Sequence, residues 1–395
     1  MRIGIFTECY KPVINGVVNS IIGFKTGLET LGHEVFVFCP TYKKYRDDPK
    51  DKNIIHIKSW PLPGKSGYHY IFPLDEKSKK IASTMDIIHV QHPFIMGDRA
   101  ADTAEEFKKP LVFTNHTQYE QYAHYIPFSK KFVIKEIVSY IKKFSLRVDL
   151  IVAPAKGIED KLKSYGVKTP IAIVPNGINV ERFEKKIPEN KLLTLRNKYD
   201  ISKNDIVLVF TGRIAEEKNL TFLIKAFKII NTQISNSKLL LVGGGPEIKR
   251  FNDRIVKLEL KNKVTITDYV PYTEMPKYLS LAKMYVTASK SEVHPLTVIE
   301  GLAAGLPCVI VKAPGTGDIV TNNLDGLVTK DDTSDYANKV VKLIKNNNLR
   351  SELSKNAKLT ARKFSYLETS KQMEKVYNNL IARTHTKITR KSREN

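Results

Sequence analysis

Short apolar runs rich in β-branched residues alternate with longer stretches of helical period along the whole chain. The first runs, Ile3–Thr7, Glu34–Cys39, Ile54–Ser59, Ile87–Val90, Leu111–Asn115, Leu150–Ala153 and Ile171–Val174, have the length and composition of buried strands. The turn Lys11-Pro12-Val13-Ile14-Asn15-Gly16 and a helical pattern from Val17 to Leu31 separate the first two, which makes a β–loop–α–β unit. Pro175-Asn176-Gly177-Ile178-Asn179 is turn chemistry after a strand and marks a domain boundary. A second series follows at Ile206–Thr211, Leu239–Val242, Val264–Thr267, Met284–Ala288 and Cys308–Val311, and the chain ends in helical segments. The pattern predicts an α/β fold of two doubly wound domains, residues 1–175 and 176–366. A helix over 367–383 packs back toward the first domain, and a basic, disordered tail follows at 384–395. Two such domains leave a cleft at the carboxyl ends of their strands, the usual position for a ligand.

Composition narrows the class. A length of 395 residues exceeds one ordinary core, and 42% hydrophobic with 27% charged residues is that of a globular protein. The three cysteines, Cys9, Cys39 and Cys308, have no paired spacing, which argues for a reducing compartment and against a disulfide framework or zinc site. The first residues lack the apolar core of a signal peptide, and no apolar run is long enough to span a bilayer. The expectation is a cytoplasmic protein. A net charge of +23 attracts polyanions, whether nucleic acid, acidic lipid or phosphorylated substrate. No zinc-finger spacing or RNA-recognition signature accompanies it, so nucleic acid is not the expected partner.

The candidate chemistry begins at Ser291-Glu292-Val293-His294-Pro295-Leu296-Thr297-Val298-Ile299-Glu300. Pro295 suits the first turn of a helix, which Gly305 and Pro307 close. Glu292 then lies before the helix and Glu300 inside it, and the free N–H groups of Leu296 and Thr297 form an anion site. One carboxylate can hold sugar hydroxyls, the other a ribose, and the amides a phosphate. Gly212-Arg213 ends a strand and Lys218-Asn219 follows closely, so a guanidinium fork and a compact ammonium stand together against a diphosphate. Gly243-Gly244-Gly245 is either a tight turn needing positive φ or a close backbone approach to a ligand. No full dinucleotide fingerprint is present, which disfavours a nicotinamide enzyme.

In the first half, Asn15-Gly16-Val17 opens a helix with free N–H groups. His116 follows a strand and begins a loop dense in polar and aromatic groups, Tyr119, Tyr122, His124 and Tyr125 among them. His89 and His92 look like a ligand pair but lack accompanying Cys, Asp or Glu at metal spacing, and read as non-metal. From Ser129 to Arg147, Val133, Ile134, Ile137, Val138, Ile141 and Phe144 share a helical face flanked by Lys131, Lys135, Lys142 and Lys143. Such a helix packs on its own sheet or lies on an anionic leaflet.

Taken together, Asn15-Gly16-Val17, His116-Thr117, Val174-Pro175-Asn176-Gly177-Ile178, Gly212-Arg213 with Lys218-Asn219, Gly243–Gly245 and the Glu292/Glu300 pair resemble the family-4 retaining glycosyltransferases. The resemblance extends over nearly the whole chain. It implies the GT-B fold, with two Rossmann-like domains facing across a cleft. The segment from His116 to Tyr125, and Thr297, further resemble the bacterial diacylglycerol glucosyltransferase branch. The resemblance implies that Arg213 and Lys218 stabilise the diphosphate, aided by the amides of Leu296 and Thr297 and by Gly16, with no metal or cofactor. It further implies that Glu300 binds the ribose, Glu292 the sugar hydroxyls, and His116 the sugar near the reacting carbon. The base would rest near Val270, on main-chain groups. The expected activity moves glucose from UDP-glucose to diacylglycerol as an α-glucosyl lipid, on the inner face of the cell membrane. Many family members carry Gly-Phe where this chain has Val293-His294, a departure on the sugar side. A mannosyl- or other hexosyltransferase acting on a phosphoinositide, glycolipid, cell-wall or capsule acceptor, a sugar epimerase, and a basic nucleic-acid-binding protein are the alternative readings.

Overall fold

The structure, a computed structural model, describes all residues except 44, 50, 63–68, 121–128 and 395; for residues 130 and 385–394 it describes the backbone alone. The chain divides into two compact units, Met1–Ile178 with Tyr366–Asn395, and Asn179–Ser365. In the first unit the strands are β1 (Arg2–Phe6), β2 (Glu34–Pro40), β3 (Ile54–Ile57), β4 (Ser59–Pro61), β5 (His69–Ile71), β6 (Ile87–Val90), β7 (Leu111–Thr114), β8 (Leu150–Ala153) and β9 (Ile171–Ile173). Seven of them form a parallel sheet in the order β3-β2-β1-β6-β7-β8-β9, and β4 and β5 pair as a separate antiparallel hairpin. Helical crossovers cover both faces of such a sheet, so its central strands are mostly apolar, and β6 and β7 are buried at every position.

The C-terminal helix Tyr366–Glu394 belongs to this first unit, with Met373 and Tyr377 in the same core as Ile5, Phe24 and Val37. It lies against the helix Gly16–Thr30, which Asn15 caps by accepting from the Val18 N–H at 2.8 Å. A Cβ at Gly27 would stand 2.5 Å from the Tyr366 carbonyl oxygen, so only glycine permits this approach. The helix runs through residues 384–394, where the sequence pattern suggests a disordered tail. Residues 366–394 contain no Gly or Pro and many strong helix formers, so nothing local stops the helix.

The second unit holds β10 (Ile206–Thr211), β11 (Ser237–Val242), β12 (Val264–Ile266), β13 (Met284–Thr287), β14 (Cys308–Val311) and β15 (Gly326–Thr329). All six are parallel, in the order β12-β11-β10-β13-β14-β15. Leu208, Phe210, Phe227, Leu239, Val286 and Tyr336 are among the residues of its core. The hairpin and β15 carry too few residues, or too much turn chemistry, to register in a hydrophobic pattern. The boundary between the units falls after Ile178, three residues beyond the expected position.

Candidate active site

In the second unit the strand order reverses between β10 and β13, so the loops leaving these two strands part in opposite directions and open a crevice. After β10 come Gly212, Arg213, a 3₁₀ turn at Glu216–Lys218, and Asn219 at φ 53°, which starts the helix Leu220–Gln233. After β13 the chain passes Ala288 to Pro295 before the helix Leu296–Ala303. Three contacts clasp the two loops. Asn219 Nδ2 donates to the Ala288 carbonyl at 3.2 Å, Ser291 Oγ donates to the Glu217 carbonyl at 3.0 Å, and Lys218 Nζ donates to Glu292 Oε1 at 2.6 Å. Lys218 and Glu292 thus form a mostly buried ion pair, 17% and 18% exposed. The Arg213 guanidinium, 55% exposed, lies 3.9 Å from the buried carboxylate of Glu217.

Pro295 is the N-cap of the helix Leu296–Ala303 rather than a residue of its first turn, and no side chain caps that end. Helix geometry leaves the Leu296 and Thr297 N–H groups without intrahelical acceptors, as the sequence suggests. Glu300 follows on this helix, 2% exposed. Burial raises its carboxyl from 4.5 to about 7, against the hydrogen bond from the Tyr272 hydroxyl and the charge of Arg182. The Arg182 guanidinium in turn lies 5.1 Å from the centre of the Tyr272 ring. Val270 is buried just ahead of this tyrosine, and Tyr269 is exposed. His294 is buried with its ring edge-on to Phe364 at 5.3 Å; burial lowers its pKa to about 3, and its Nδ1 has no hydrogen-bond partner among the described residues.

The glycine-rich turn has a structural cause. Gly243 stands at φ 143°, and a Cβ there would come within 2.0 Å of the Gly212 carbonyl oxygen. A Cβ on Gly244 would meet Asp268 Oδ1 at 2.9 Å. The exits of β10 and β11 therefore pack backbone on backbone, with Gly212 itself at φ 147°.

In the first unit the reversal lies between β1 and β6. Their loops carry Glu8 and His92, and His92 Nδ1 accepts the Glu8 N–H at 3.3 Å. Glu8 Oε1 accepts the Met96 N–H at 3.2 Å at the start of the helix Ile95–Glu106, and burial raises its carboxyl to about 7. His116 donates from Nε2 to Gln91 Oε1 at 2.7 Å. Burial, then His92 and His89, hold it far below its ordinary pKa, so the ring is neutral and Nδ1 is left as an acceptor. Gly16 opens the helix Gly16–Thr30 with free space around it. Tyr119 sets its ring against Phe94 at 5.2 Å, and Phe94 stacks on Tyr140 at 5.5 Å. Tyr122, His124 and Tyr125 lie outside the described residues.

The helix Lys130–Ser145 directs its apolar stripe into the first unit, since Val133, Ile141 and Phe144 are buried. Ile134, Ile137 and Val138 are half-buried and Phe132 is 57% exposed, so the unit's own core covers only part of that stripe. Lys131, Lys135, Lys142 and Lys143 remain exposed. Among the described residues no cluster of three or more His, Cys, Asp or Glu could hold a metal ion.

With these groups in place, comparison with known proteins becomes informative. Residues 14–182 match the family described as Glycosyltransferase Family 4, and residues 193–360 match Glycosyl transferases group 1. The alpha-monoglucosyldiacylglycerol synthase of Streptococcus pneumoniae is 33% identical over 331 residues, 82% of this chain and 74% of the relative. The chain belongs to glycosyltransferase family 4. The synthase of the same name from Acholeplasma laidlawii is 29% identical over 406 residues, 99% of this chain and all of that one. A crystal structure of Anabaena HepE with UDP and glucose shares the fold at a TM-score of 0.75 and 18% identity, covering 96% of this chain and 100% of that one. Sucrose-phosphate synthase from Thermosynechococcus elongatus does so at 0.77 and 18%, covering 96% and 99%. This glycosyltransferase therefore has the GT-B fold.

Several groups around the family's site are invisible to motif reading. Tyr272 and Arg182 act on Glu300, and Gln91 bonds His116, only through the fold. Asn219 alone carries a local signal, since asparagine is enriched at positive φ.

Proposed function

We propose that this glycosyltransferase moves glucose from UDP-glucose to diacylglycerol with retention, forming an α-glucosyl lipid. The observation that carries the donor half is the clasped pair of loops in the second unit, which gathers Arg213, Lys218, Glu292 and Glu300 at one switch point. In this reading Arg213 and Lys218 neutralise the diphosphate, a task given elsewhere to a metal ion, and the amides of Leu296 and Thr297 add donors. The diphosphate takes over from Glu292 as counter-charge to Lys218, and the freed carboxylate accepts from the sugar hydroxyls. Glu300 accepts from the ribose hydroxyls, with Tyr272 orienting it, and Val270 lies beside the base. Gly243 and Gly244 bring the backbone of the second loop close to the donor.

The bond from the anomeric carbon to the diphosphate oxygen breaks as a bond to the acceptor oxygen forms on the same face. The acceptor proton passes to the departing phosphate oxygen, so no protein nucleophile is required. The first unit serves the acceptor. His116 offers Nδ1 to a substrate hydroxyl, and Tyr119 and Phe94 supply an aromatic wall. The lipid acceptor and glucose are supported by the names of the two synthases, of which the Acholeplasma protein aligns over nearly the whole chain. No helix among the described residues is long and apolar enough to cross a membrane. In this reading the enzyme reaches its acceptor from the bilayer surface.

The test is product formation from labelled UDP-glucose and diacylglycerol vesicles, with GDP-mannose as a parallel donor. A labelled α-glucosyl lipid supports the proposal. Product from GDP-mannose alone, or label found only in water-soluble sugar, overturns the donor or the acceptor respectively.

A further inference from the structure

The three contacts that clasp the loops of the second unit all lie beyond the ends of β10 and β13. A fourth tie lies within the sheet, at Tyr285, which is fully buried on β13. The ladder between the two strands pairs Leu208 with Met284 and Val209 with Tyr285. Thr211 stands two residues past that pair, where the tyrosine side chain takes over from the backbone. Tyr285 Oη donates to the Thr211 carbonyl at 3.2 Å and lies 3.4 Å from Thr211 Oγ1. It also bonds the Thr297 hydroxyl, in the first turn of the helix Leu296–Ala303. A phenol has one proton to give and an oxygen that accepts, so the carbonyl takes the proton and the threonine hydroxyl donates in return. Burial disfavours the phenolate, which keeps that proton in place.

The helix is shaped to this ring. A Cβ at Gly301, one turn after Thr297, would stand 2.9 Å from Tyr285 Cγ and Cδ2, so the helix backbone lies directly against the side chain. Glycine inside a helix is unfavourable, and this contact accounts for it. Thr211 immediately precedes Gly212 and Arg213, while Thr297 carries one of the two helix amides. The hydroxyl therefore joins the backbone that aims the guanidinium to the turn that presents the amides. Groups that act together on one ligand must hold their geometry to within about 0.5 Å. The Arg213 side chain is 55% exposed and has only Glu217 at 3.9 Å as an ion-pair partner, so its aim depends on the strand end.

We propose that Tyr285 is a positioning residue for the diphosphate, its hydroxyl setting the spacing between the Arg213 strand end and the Leu296 and Thr297 amides. The inference rests on the reading of this crevice as the donor's diphosphate site, and adds a group that acts through Thr211 and Thr297.

Calorimetric titration of UDP and of uridine into wild type, Tyr285→Phe, Thr297→Val, Thr297→Ser and the Phe/Val double variant tests it. Uridine reports the base and ribose contacts without the diphosphate. Tyr285→Phe keeps the ring against Gly301 and loses only the hydroxyl. It should bind UDP about 10-fold more weakly than wild type, and uridine within about 2-fold, which shows that the variant is folded. Thr297→Val breaks the link from its other end, so the double variant should bind UDP no more weakly than Tyr285→Phe alone. Thr297→Ser keeps the hydroxyl and should match wild type. Unchanged UDP affinity in Tyr285→Phe, an equal fall for uridine, or losses that add in the double variant would each overturn the proposal. Failure of wild type to bind UDP would overturn the donor reading and this inference with it, whereas firm wild-type binding with unmoved variants overturns this inference alone.

Discussion

Replacing Glu300 by glutamine should stabilise the protein while weakening donor binding, and the gain should depend on pH. The carboxyl is 2% exposed and its pKa is raised from 4.5 to about 7, with burial the largest cause. Between these values the folded state holds a proton that the unfolded state has released, so this group's contribution to stability falls as pH rises toward 7. Integrating between the two pKa values gives a loss of about 1 kcal/mol at pH 5.5 and about 3 kcal/mol at pH 8.5. Glutamine has nearly the same shape, still accepts from the Tyr272 hydroxyl, and does not ionise. The variant's advantage over wild type should therefore widen by about 2 kcal/mol from pH 5.5 to 8.5, or about 4–8 °C in Tm for a unit of this size. Glu8, also raised to about 7, titrates in both proteins and cancels from the comparison. Calorimetry of the two proteins at both pH values is the assay. A Tm difference that stays constant across the range would refute the buried, ionising carboxylate. The same ionisation should tighten UDP binding in the wild type as pH rises through 7, beyond the change that the nucleotide's own terminal phosphate produces and that the variant shares.

Arg213→Ala should lower turnover about 100-fold or more with stability changed by less than about 0.5 kcal/mol, because the guanidinium is 55% exposed and its proposed work is on the leaving group. Steady-state kinetics beside a thermal melt decides it, and near-normal turnover contradicts the role. Gly243→Ala should cost at least about 2 kcal/mol in chemical denaturation, since φ is 143° and the new Cβ would stand 2.0 Å from the Gly212 carbonyl oxygen. Asn219→Gly keeps the positive φ and loses only the bond to Ala288, costing about 1 kcal/mol, while Asn219→Ala loses both and costs about 2 kcal/mol. The reverse ranking in urea would show that the left-handed backbone at this position, and not the bond, carries no weight.

The alternation of apolar runs and helical stretches carried twelve of the strands, because a parallel sheet covered on both faces is mostly apolar. The hairpin escaped because β4 and β5 are three residues each and pair only with each other. The Glu292 and Glu300 placement was legible from Pro295 and Gly305, which bracket a short helix. The partnership of Lys218 with Glu292 was not, since the two lie 74 residues apart and meet only where the strand order reverses. Tyr272 on Glu300 and Gln91 on His116 were hidden for the same reason. The stripe of the helix Lys130–Ser145 was open to two readings. A helical face of Val133, Ile141 and Phe144 reads alike whether a core or a bilayer covers it, and here the core does.

The central claim is a division of labour in the second unit, with Glu300 holding the ribose and Glu292 the sugar. Calorimetric titration of UDP and of UDP-glucose into wild type, Glu292→Gln and Glu300→Gln tests it directly. The account predicts that Glu292→Gln binds UDP at least as tightly as wild type but loses whatever affinity the glucose adds, while Glu300→Gln binds both ligands weakly. Weakened UDP binding in Glu292→Gln, or full UDP affinity in Glu300→Gln, would contradict it.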